Sequence, residues 1–204
     1  MSSEARTFQE AARIFSTCFE PQYDTWAPNY ERDLLTMEYR AHEHAVTVLM
    51  QHFTGDPSQT RVLDVACGSG LVAKRMVELG FCQFVGVDAS EGMLKEAKLT
   101  GLYQAVHHAV LGKQPLSVEK ESFDVVTVAG AMNPGFIPVS AVREFYEATR
   151  PGGLVCMSRG NYPVQSTSLT TRRWRKRWPR WRPRVCGLDS QPPRSKDIWP
   201  TTFM

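Results

Sequence analysis

The middle of the chain alternates short apolar runs with segments of helical periodicity. The apolar runs predict five strands, at 61–65, 84–87, 103–110, 123–129 and 154–158. The helical periodicity predicts helices between them, at 71–79, 92–99 and 139–149. Strands that alternate with helices of about ten residues indicate βαβ units and a parallel sheet. Because these strands are mostly apolar, we expect helices on both faces of the sheet.

The part of the chain before the first predicted strand is helical but interrupted. Residues 1–20 have uneven helical periodicity, and residues 21–31 contain two prolines and three aromatic residues, a composition too irregular for a long helix. Residues 33–53 repeat apolar positions at spacings of three, four and seven, which predicts a helix. We therefore divide the chain into an N-terminal helical cap at 1–55, a core at 56–165 and a tail at 166–204.

The composition is typical of a soluble globular protein. The chain has 204 residues, of which 42% are hydrophobic and 22% charged, enough for one domain. No apolar run reaches the ~18–20 residues that cross a membrane, and the N-terminus does not resemble a secretory signal. The five cysteines lack metal-type spacing, so we expect reduced thiols, no metal site, and a cytoplasmic or nuclear location.

A glycine-rich turn follows the first predicted strand and leads directly into a helix. Its sequence is DVACGSG at 64–70, and Asp88 ends the next strand. Glycines in such a turn allow the backbone to approach a ligand closely, and an acid roughly 20 residues further on is typical of ribose recognition. A carboxylate suits this role because it accepts both hydroxyl protons. Asp88 also suits the simpler role of a helix N-cap.

The first residue of this turn distinguishes between nucleotide ligands. A dinucleotide site has the pattern G-x-G-x-x-G, whereas this chain has D-x-A-x-G-x-G, beginning with Asp64. A carboxylate in the turn would repel a diphosphate but not a sulfonium cation with an α-amino group. The turn therefore favours S-adenosylmethionine over NAD.

Four segments in order resemble the motifs of the class I S-adenosylmethionine-dependent methyltransferases: VLDVACGSG at 62–70, FVGVDAS at 84–90, SFDVV at 122–126 and RPGG at 150–153. The resemblance implies an α/β, Rossmann-like fold with a mostly parallel sheet, S-adenosylmethionine as the cofactor, and methyl transfer as the reaction. Further segments, among them YDTWAPNYERD at 23–33, resemble a narrower group of methyltransferase-like proteins. The similarity covers about residues 20–165.

The resemblance implies where the cofactor lies on the first two motifs. The backbone at Ala66, Gly68 and Gly70 passes under it, and Asp64 lies near its methionine end, which it usually contacts through water or backbone groups. Asp88 binds the ribose. Ala66 stands where the general pattern has a glycine, a departure that the narrower group shares.

The resemblance also assigns the remaining walls of the site. Ala89, Ser90 and Met93 border the adenine, while Ala129 and Gly130 face the methionine and the transferred methyl group. Many relatives carry an acid after the third strand that accepts the adenine amino group. This chain has none there, so that contact is not assigned to a side chain.

An aromatic segment near the N-terminus is the expected lid. Tyr23, Trp26 and Tyr30 resemble the aromatic residues that many small-molecule methyltransferases fold over the cofactor, and Arg40 could pair with its methionine carboxylate. The same three aromatic residues are equally typical of ordinary packing, and Arg40 of a surface ion pair.

No catalytic residue is assigned. The sulfonium already activates the methyl group, so the protein mainly aligns donor and acceptor and excludes water. The lid and the lack of a large recognition domain favour a small-molecule acceptor. A non-catalytic protein that binds S-adenosylmethionine or S-adenosylhomocysteine is the first alternative.

The tail differs from the rest of the chain. Residues 172–184 are mostly Arg and Lys with interspersed Trp and Pro and no acid. Such a segment could bind nucleic acid, which is the second alternative. In a shifted reading frame, allowed codons for the same segment encode a strong helix former. We therefore interpret the tail as an off-frame product, do not expect a nucleic-acid partner, and expect strands six and seven of the fold to be missing, with an unpaired edge on strand five.

Overall fold

Five parallel strands form the centre of the computed structural model, in which residues 20–132, 136–160, 184–185 and 200–203 are described. The strands are β1 (Arg61–Val65), β2 (Gln83–Asp88), β3 (Tyr103–His108), β4 (Phe123–Ala129) and β5 (Thr149–Gly160). Their order in the sheet is β3-β2-β1-β4-β5, and every neighbouring pair is parallel. The chain moves outwards from β1 to β3 and then crosses to β4, so β1 and β4 flank the point where a ligand cleft is expected. The predicted Rossmann-like fold is confirmed.

Helices cover both faces of this sheet. They are α1 (Glu20–Trp26), α2 (Tyr30–Thr36), α3 (Ala41–His52), α4 (Leu71–Val77), α5 (Glu91–Leu99) and α6 (Val142–Ala148). Residues alternate along β1, so Val62 packs in one core cluster with α3 and α4, and Leu63 and Val65 pack in another with α6. Each buried Val or Leu side chain contributes about 1.5–3 kcal/mol, so β1 contributes to both cores.

The helix predicted over residues 33–53 is interrupted at its N-terminal end. Helix α2 ends with Tyr39 N–H donating to Leu34 O (3.0 Å) and Glu38 N–H donating to Leu35 O (3.1 Å). Glu38 has φ +51° in this turn, a conformation that usually belongs to glycine at the end of a helix. The helix therefore stops without a glycine or proline signal, and the following residue, Tyr39, turns towards the sheet.

The segment at 21–31 contains two short helices rather than one long one, as its composition indicates. A 3-10 turn at Ala27–Asn29 joins α1 to α2. None of the helices in the described part of the chain is long and apolar enough to cross a membrane.

Two short segments of the tail pair with β5. Strand β6 (Arg184–Val185) is parallel to Leu154–Val155, and β7 (Pro200–Phe203) is antiparallel to Met157–Gly160. The prediction that β5 keeps an unpaired edge is therefore wrong at these positions. Strand pairing joins main-chain groups, so an open edge can pair with a segment that lacks a strand-like pattern. Both segments are shorter than any of β1 to β5.

Several predictions concern residues that the structure does not describe. Residues 1–19, 133–135, 161–183, 186–199 and 204 lie outside the described ranges, and with them most of the basic segment at 172–184. The off-frame origin of the tail and the division at residues 55 and 165 stay predictions.

Candidate functional site

A cleft opens where the carboxyl ends of β1, β2 and β4 meet. It encloses about 930 Å³, including the solvent at its mouth. Ten of the fourteen predicted site residues line it: Tyr23, Tyr30, Ala66, Gly68, Asp88, Ala89, Ser90, Met93, Ala129 and Gly130. The fold thus brings together four separate parts of the chain that the sequence patterns had assigned to one ligand.

The glycine-rich turn between β1 and α4 forms the floor of the cleft. Ala66, Gly68 and Gly70 all have positive φ angles, of +53°, +53° and +93°. Gly68 lines the cleft, whereas Gly70 lies behind it, where a Cβ would stand 3.2 Å from the Tyr103 ring. The absence of a side chain at Gly70 therefore leaves room for the Tyr103 ring, and the passage of its backbone under a ligand stays a prediction.

Ala66 is the strained member of this turn. An alanine with φ +53° is about 1–2 kcal/mol less favourable than one in the right-handed region. Glycine removes that strain but increases the freedom of the unfolded chain, which offsets part of the gain. We expect Ala66→Gly to leave unchanged or raise the free energy of unfolding, by up to about 1 kcal/mol, in urea denaturation. Ala97→Gly in α5 is the contrast, where a loss of at least about 1 kcal/mol is expected. A comparable loss in Ala66→Gly would contradict the assigned strain.

Asp88 presents a carboxylate to the cleft and is held by main-chain groups. Gly68 N–H donates to its Oδ2 (2.8 Å), and Ser90 N–H donates to its Oδ1 (2.9 Å). Burial raises the pKa of Asp88, and these hydrogen bonds oppose the rise by stabilising the ionised form. Each carboxylate oxygen accepts more than one hydrogen bond, so both can also receive a hydroxyl from a ligand.

Asp64 lies beneath the turn and does not line the cleft. Its carboxylate accepts the Tyr103 hydroxyl (2.7 Å) and the Thr127 hydroxyl (2.9 Å), and its side chain is fully enclosed. The Tyr103 ring reaches it by passing over Gly86, where a Cβ would stand 3.1 Å from that ring. Burial raises the pKa of Asp64 to about 6, against the two hydrogen bonds. In this structure the Asp64 carboxylate joins β1 to β3 and β4, so a contact of Asp64 with the methionine end through water or backbone stays a prediction.

The aromatic residues near the N-terminus divide into two roles. Tyr23 and Tyr30 line the cleft, while Trp26 packs behind them, 4.8 Å edge-to-face from Tyr30. Trp26 Nε1–H donates to Asp33 Oδ2 (2.9 Å). Tyr23 also meets Phe136 edge-to-face at 6.0 Å, so the segment contacts the loop after β4 across the mouth of the cleft.

Arg40 lies away from the cleft. Its guanidinium pairs with Glu43 at 2.6 Å, one turn along α3, and both side chains are largely exposed. The structure therefore places Arg40 in the surface ion pair that was its alternative interpretation.

Other residues of the cleft lacked a sequence signal. The hydroxyl of Tyr39 lies so close to Gly130 that a Cβ there would collide with it, and Phe136 and Ile137 close the same end. The sequence does not identify Tyr39, because the helix predicted over 33–53 runs through it, whereas in the structure the turn at Glu38 directs Tyr39 towards the cleft. Val110 and Leu111 add an apolar wall to the cleft, in the segment after β3 where the sequence has no acid.

The chemistry of the cleft fits a nucleoside with a cationic sulfur rather than a phosphate ligand. Asp88 is the one charged side chain among the described residues that line it. A carboxylate suits the ribose, the apolar wall suits adenine, and a diphosphate would find no cation among these residues. The described residues also contain no cluster of potential metal ligands.

Comparisons with known proteins agree with this geometry. Residues 62–153 match the family described as "Methyltransferase domain". The chain is 46% identical over 136 residues to Methyltransferase-like protein 27 of Homo sapiens, which covers 67% of this chain and 55% of the human protein. It is 34% identical over 122 residues to the ubiquinone biosynthesis O-methyltransferase of Bordetella bronchiseptica, which covers 56% of this chain and 50% of that enzyme. The chain thus spans about half the length of the curated relatives it matches.

Solved structures show the same fold. A putative S-adenosyl-L-methionine-dependent methyltransferase from Methanococcus maripaludis superimposes with a TM-score of 0.52 at 16% sequence identity. The match covers 76% of this chain and 72% of that one.

Proposed function

The chain belongs, through residues 62–153, to the class I S-adenosylmethionine-dependent methyltransferases, and on that premise we propose that it transfers the cofactor's methyl group to a small-molecule acceptor. The family and the fold imply S-adenosylmethionine as the cofactor. The observation that carries the proposal is the Asp88 carboxylate, fixed by Gly68 and Ser90 N–H groups on the wall of a cleft with no other charged side chain among its described residues.

The residues of the chain would act by holding and orienting. Asp88 receives the ribose hydroxyls, Val110 and Leu111 contact the adenine, and the turn at Ala66–Gly68 supports the methionine part. Gly130 lacks a side chain, which leaves room for the Tyr39 hydroxyl beside the end of β4. When bound, the cofactor supplies an electrophilic methyl group, so the protein needs alignment and exclusion of water more than a catalytic acid or base.

The walls beyond the cofactor support a small, uncharged acceptor. Tyr23, Tyr30, Tyr39, Phe136 and Ile137 enclose this end with aromatic and aliphatic surface. Ligand sites of this kind bind apolar molecules and use a few polar groups to set orientation. The tyrosine hydroxyls are such groups. A cytoplasmic location stays a prediction from the sequence alone.

Calorimetry on the intact chain tests this proposal. We expect S-adenosylmethionine and S-adenosylhomocysteine each to bind with one-to-one stoichiometry, because both carry the ribose and adenine that the cleft recognises. NAD at the same concentrations should give no heat, since its diphosphate meets no cation on the described walls. Binding of NAD, or of none of the three, would overturn the cofactor assignment. Cofactor binding without transfer of a labelled methyl group to any fraction of small metabolites would favour the non-catalytic alternative.

A further inference from the structure

A carboxylate of the N-terminal segment reaches the first turn of α5. Asp24, in α1, accepts two hydrogen bonds on Oδ1: the Ser90 hydroxyl donates at 2.6 Å and Gly92 N–H at 2.8 Å. These contacts join positions 66 and 68 residues apart in the chain. They also hold the pKa of Asp24 below its usual value, as expected for a carboxylate that accepts hydrogen bonds at the positive end of a helix.

The close approach of α1 to α5 depends on a glycine. A Cβ on Gly92 would stand 2.7 Å from Asp24 Cα and 2.8 Å from Asp24 O. Both of these are main-chain atoms, so a side-chain movement could not relieve the contact. The two helices are therefore fitted to each other at this point.

The same hydrogen bonds continue to the wall of the cleft. Ser90 donates its hydroxyl proton to Asp24, and its oxygen accepts Met93 N–H at 3.1 Å. Ser90 N–H donates to Asp88 Oδ1. Ser90, Met93 and Asp88 all line the cleft. Asp24 thus orients Ser90, which lies between Asp88, the residue proposed to bind the ribose, and Met93, which is expected to border the adenine.

The helix that carries Asp24 also carries part of the lid. Tyr23 is the neighbouring residue, and with Tyr30 it covers the cleft. Helix α5 already has an N-cap of its own in Ser90. The contacts of Asp24 come from another element and exist only while α1 lies against α5.

We propose that Asp24 is a positioning residue: it latches the lid, residues 20–36, onto the N-terminus of α5 and thereby retains the bound cofactor. The inference rests on the proposed function for its ligand. Opening the lid breaks the Asp24 contacts, and a cofactor held by Asp88 and Ser90 stabilises the arrangement in which they form. Removing the latch should therefore raise the dissociation rate constant of the cofactor more than it changes the association rate constant.

The test compares two carboxylates with the same local arrangement. Asp56 accepts Ser58 N–H (2.9 Å) and the Ser58 hydroxyl (2.8 Å) on its Oδ1, but it lies before β1, away from the cleft. The dissociation rate of S-adenosylhomocysteine is measured by stopped flow for the intact chain, Asp24→Ala and Asp56→Ala. Loss of two charge-assisted hydrogen bonds, one partly buried and one exposed, predicts a roughly tenfold faster dissociation for Asp24→Ala. Asp56→Ala should match the intact chain.

A second variant and a second measurement separate the effect of losing the contact between α1 and α5 from the effect of losing the Asp24 carboxylate itself. Gly92→Ala removes no hydrogen-bonding side chain but forces α1 away from α5, so it should reproduce the faster dissociation. Hydrogen exchange of residues 20–36 should speed up in both Asp24→Ala and Gly92→Ala, with or without S-adenosylhomocysteine. Asp24→Asn keeps an acceptor oxygen and should recover part of the effect.

The outcomes distinguish the latch from the cofactor assignment. If the intact chain binds no S-adenosylhomocysteine, the proposed function fails, and the exchange of residues 20–36 alone decides whether Asp24 fastens the lid. If the chain binds but Asp24→Ala and Asp56→Ala dissociate at the same rate, Asp24 is not a latch. Unchanged exchange of residues 20–36 in Asp24→Ala would overturn the latch in either case.

Discussion

Replacing Asp88 with alanine should weaken the binding of S-adenosylmethionine by at least about a hundredfold. A carboxylate that accepts two ribose hydroxyls makes two charge-assisted hydrogen bonds, each contributing about 1.5–3 kcal/mol. Their sum corresponds to a factor of roughly a hundred or more in the dissociation constant. The same change leaves the Gly68 and Ser90 N–H groups without their present acceptor, which loosens the floor of the cleft. Calorimetry on Asp88→Ala and on the intact chain measures the effect.

A carboxylate at the other end of the sheet provides the control. Asp124, at the start of β4, accepts Arg61 N–H at 2.7 Å and pairs with Arg150. Asp124→Asn removes one negative charge at a residue that does not line the cleft. The affinity of this variant for the cofactor should equal that of the intact chain. Thermal denaturation without ligand separates loss of binding from loss of folding. Equal affinities for Asp88→Ala and the intact chain would remove Asp88 from the ribose role.

The parts of the fold that the sequence predicts are those with a local physical cause. Strand β4 has the predicted bounds, 123–129, because an apolar run that is buried on both faces has little freedom to end elsewhere. The turn at 64–70 was identified because positive φ angles select glycine at Gly68 and Gly70. Asp88 was predicted to lie near that turn because it ends β2, and the carboxyl ends of β1 and β2 lie at the same edge of the sheet.

Residues that the sequence misplaced depend on direction or on distant contacts. The burial of the Asp64 side chain beneath the turn was not predicted, because the pattern alone does not tell to which side a strand residue turns its side chain. Tyr39 was missed because Glu38 ends α2 in a conformation that glycine normally adopts. Asp24 was missed because its partners lie more than sixty residues away, and a single exposed acid between Tyr and Thr has no distinguishing pattern.

The buried position of Asp64 predicts an unusual dependence of stability on pH. Burial raises the pKa of Asp64 from 3.8 to about 6, so between about pH 4 and pH 6 the folded chain binds more protons at this site than the unfolded chain. The contribution of this group is therefore fully favourable below its unfolded pKa and is lost as the pH rises through its folded pKa. Each pKa unit corresponds to about 1.36 kcal/mol, so the ionised carboxylate lowers the free energy of unfolding at pH 7 by about 3 kcal/mol.

Asp64→Asn should remove this dependence, because an amide of the same shape does not ionise. The amide oxygen can accept one of the two hydroxyls, and the amide nitrogen can donate to the other, since the hydroxyls of Tyr103 and Thr127 also accept hydrogen bonds. Urea denaturation of both proteins from pH 4 to pH 8 gives the comparison. We expect the free energy of unfolding of Asp64→Asn, relative to the intact chain, to rise by roughly 2.5 kcal/mol between pH 4 and pH 7, because part of the full change of about 3 kcal/mol lies below pH 4.

Taking the difference between the two proteins isolates Asp64 from the other acids. Asp24, Glu43 and Glu147 have lowered pKa values and contribute in the opposite direction, but they are present in both proteins. Tyr103→Phe gives an independent check: it removes a hydrogen bond that stabilises the ionised carboxylate, so the window should move to higher pH. Parallel curves for Asp64→Asn and the intact chain would show that Asp64 ionises at its ordinary pKa. The hydrogen bonds from the Tyr103 and Thr127 hydroxyls would then offset the effect of burial in full, or the carboxylate would be exposed to water rather than enclosed.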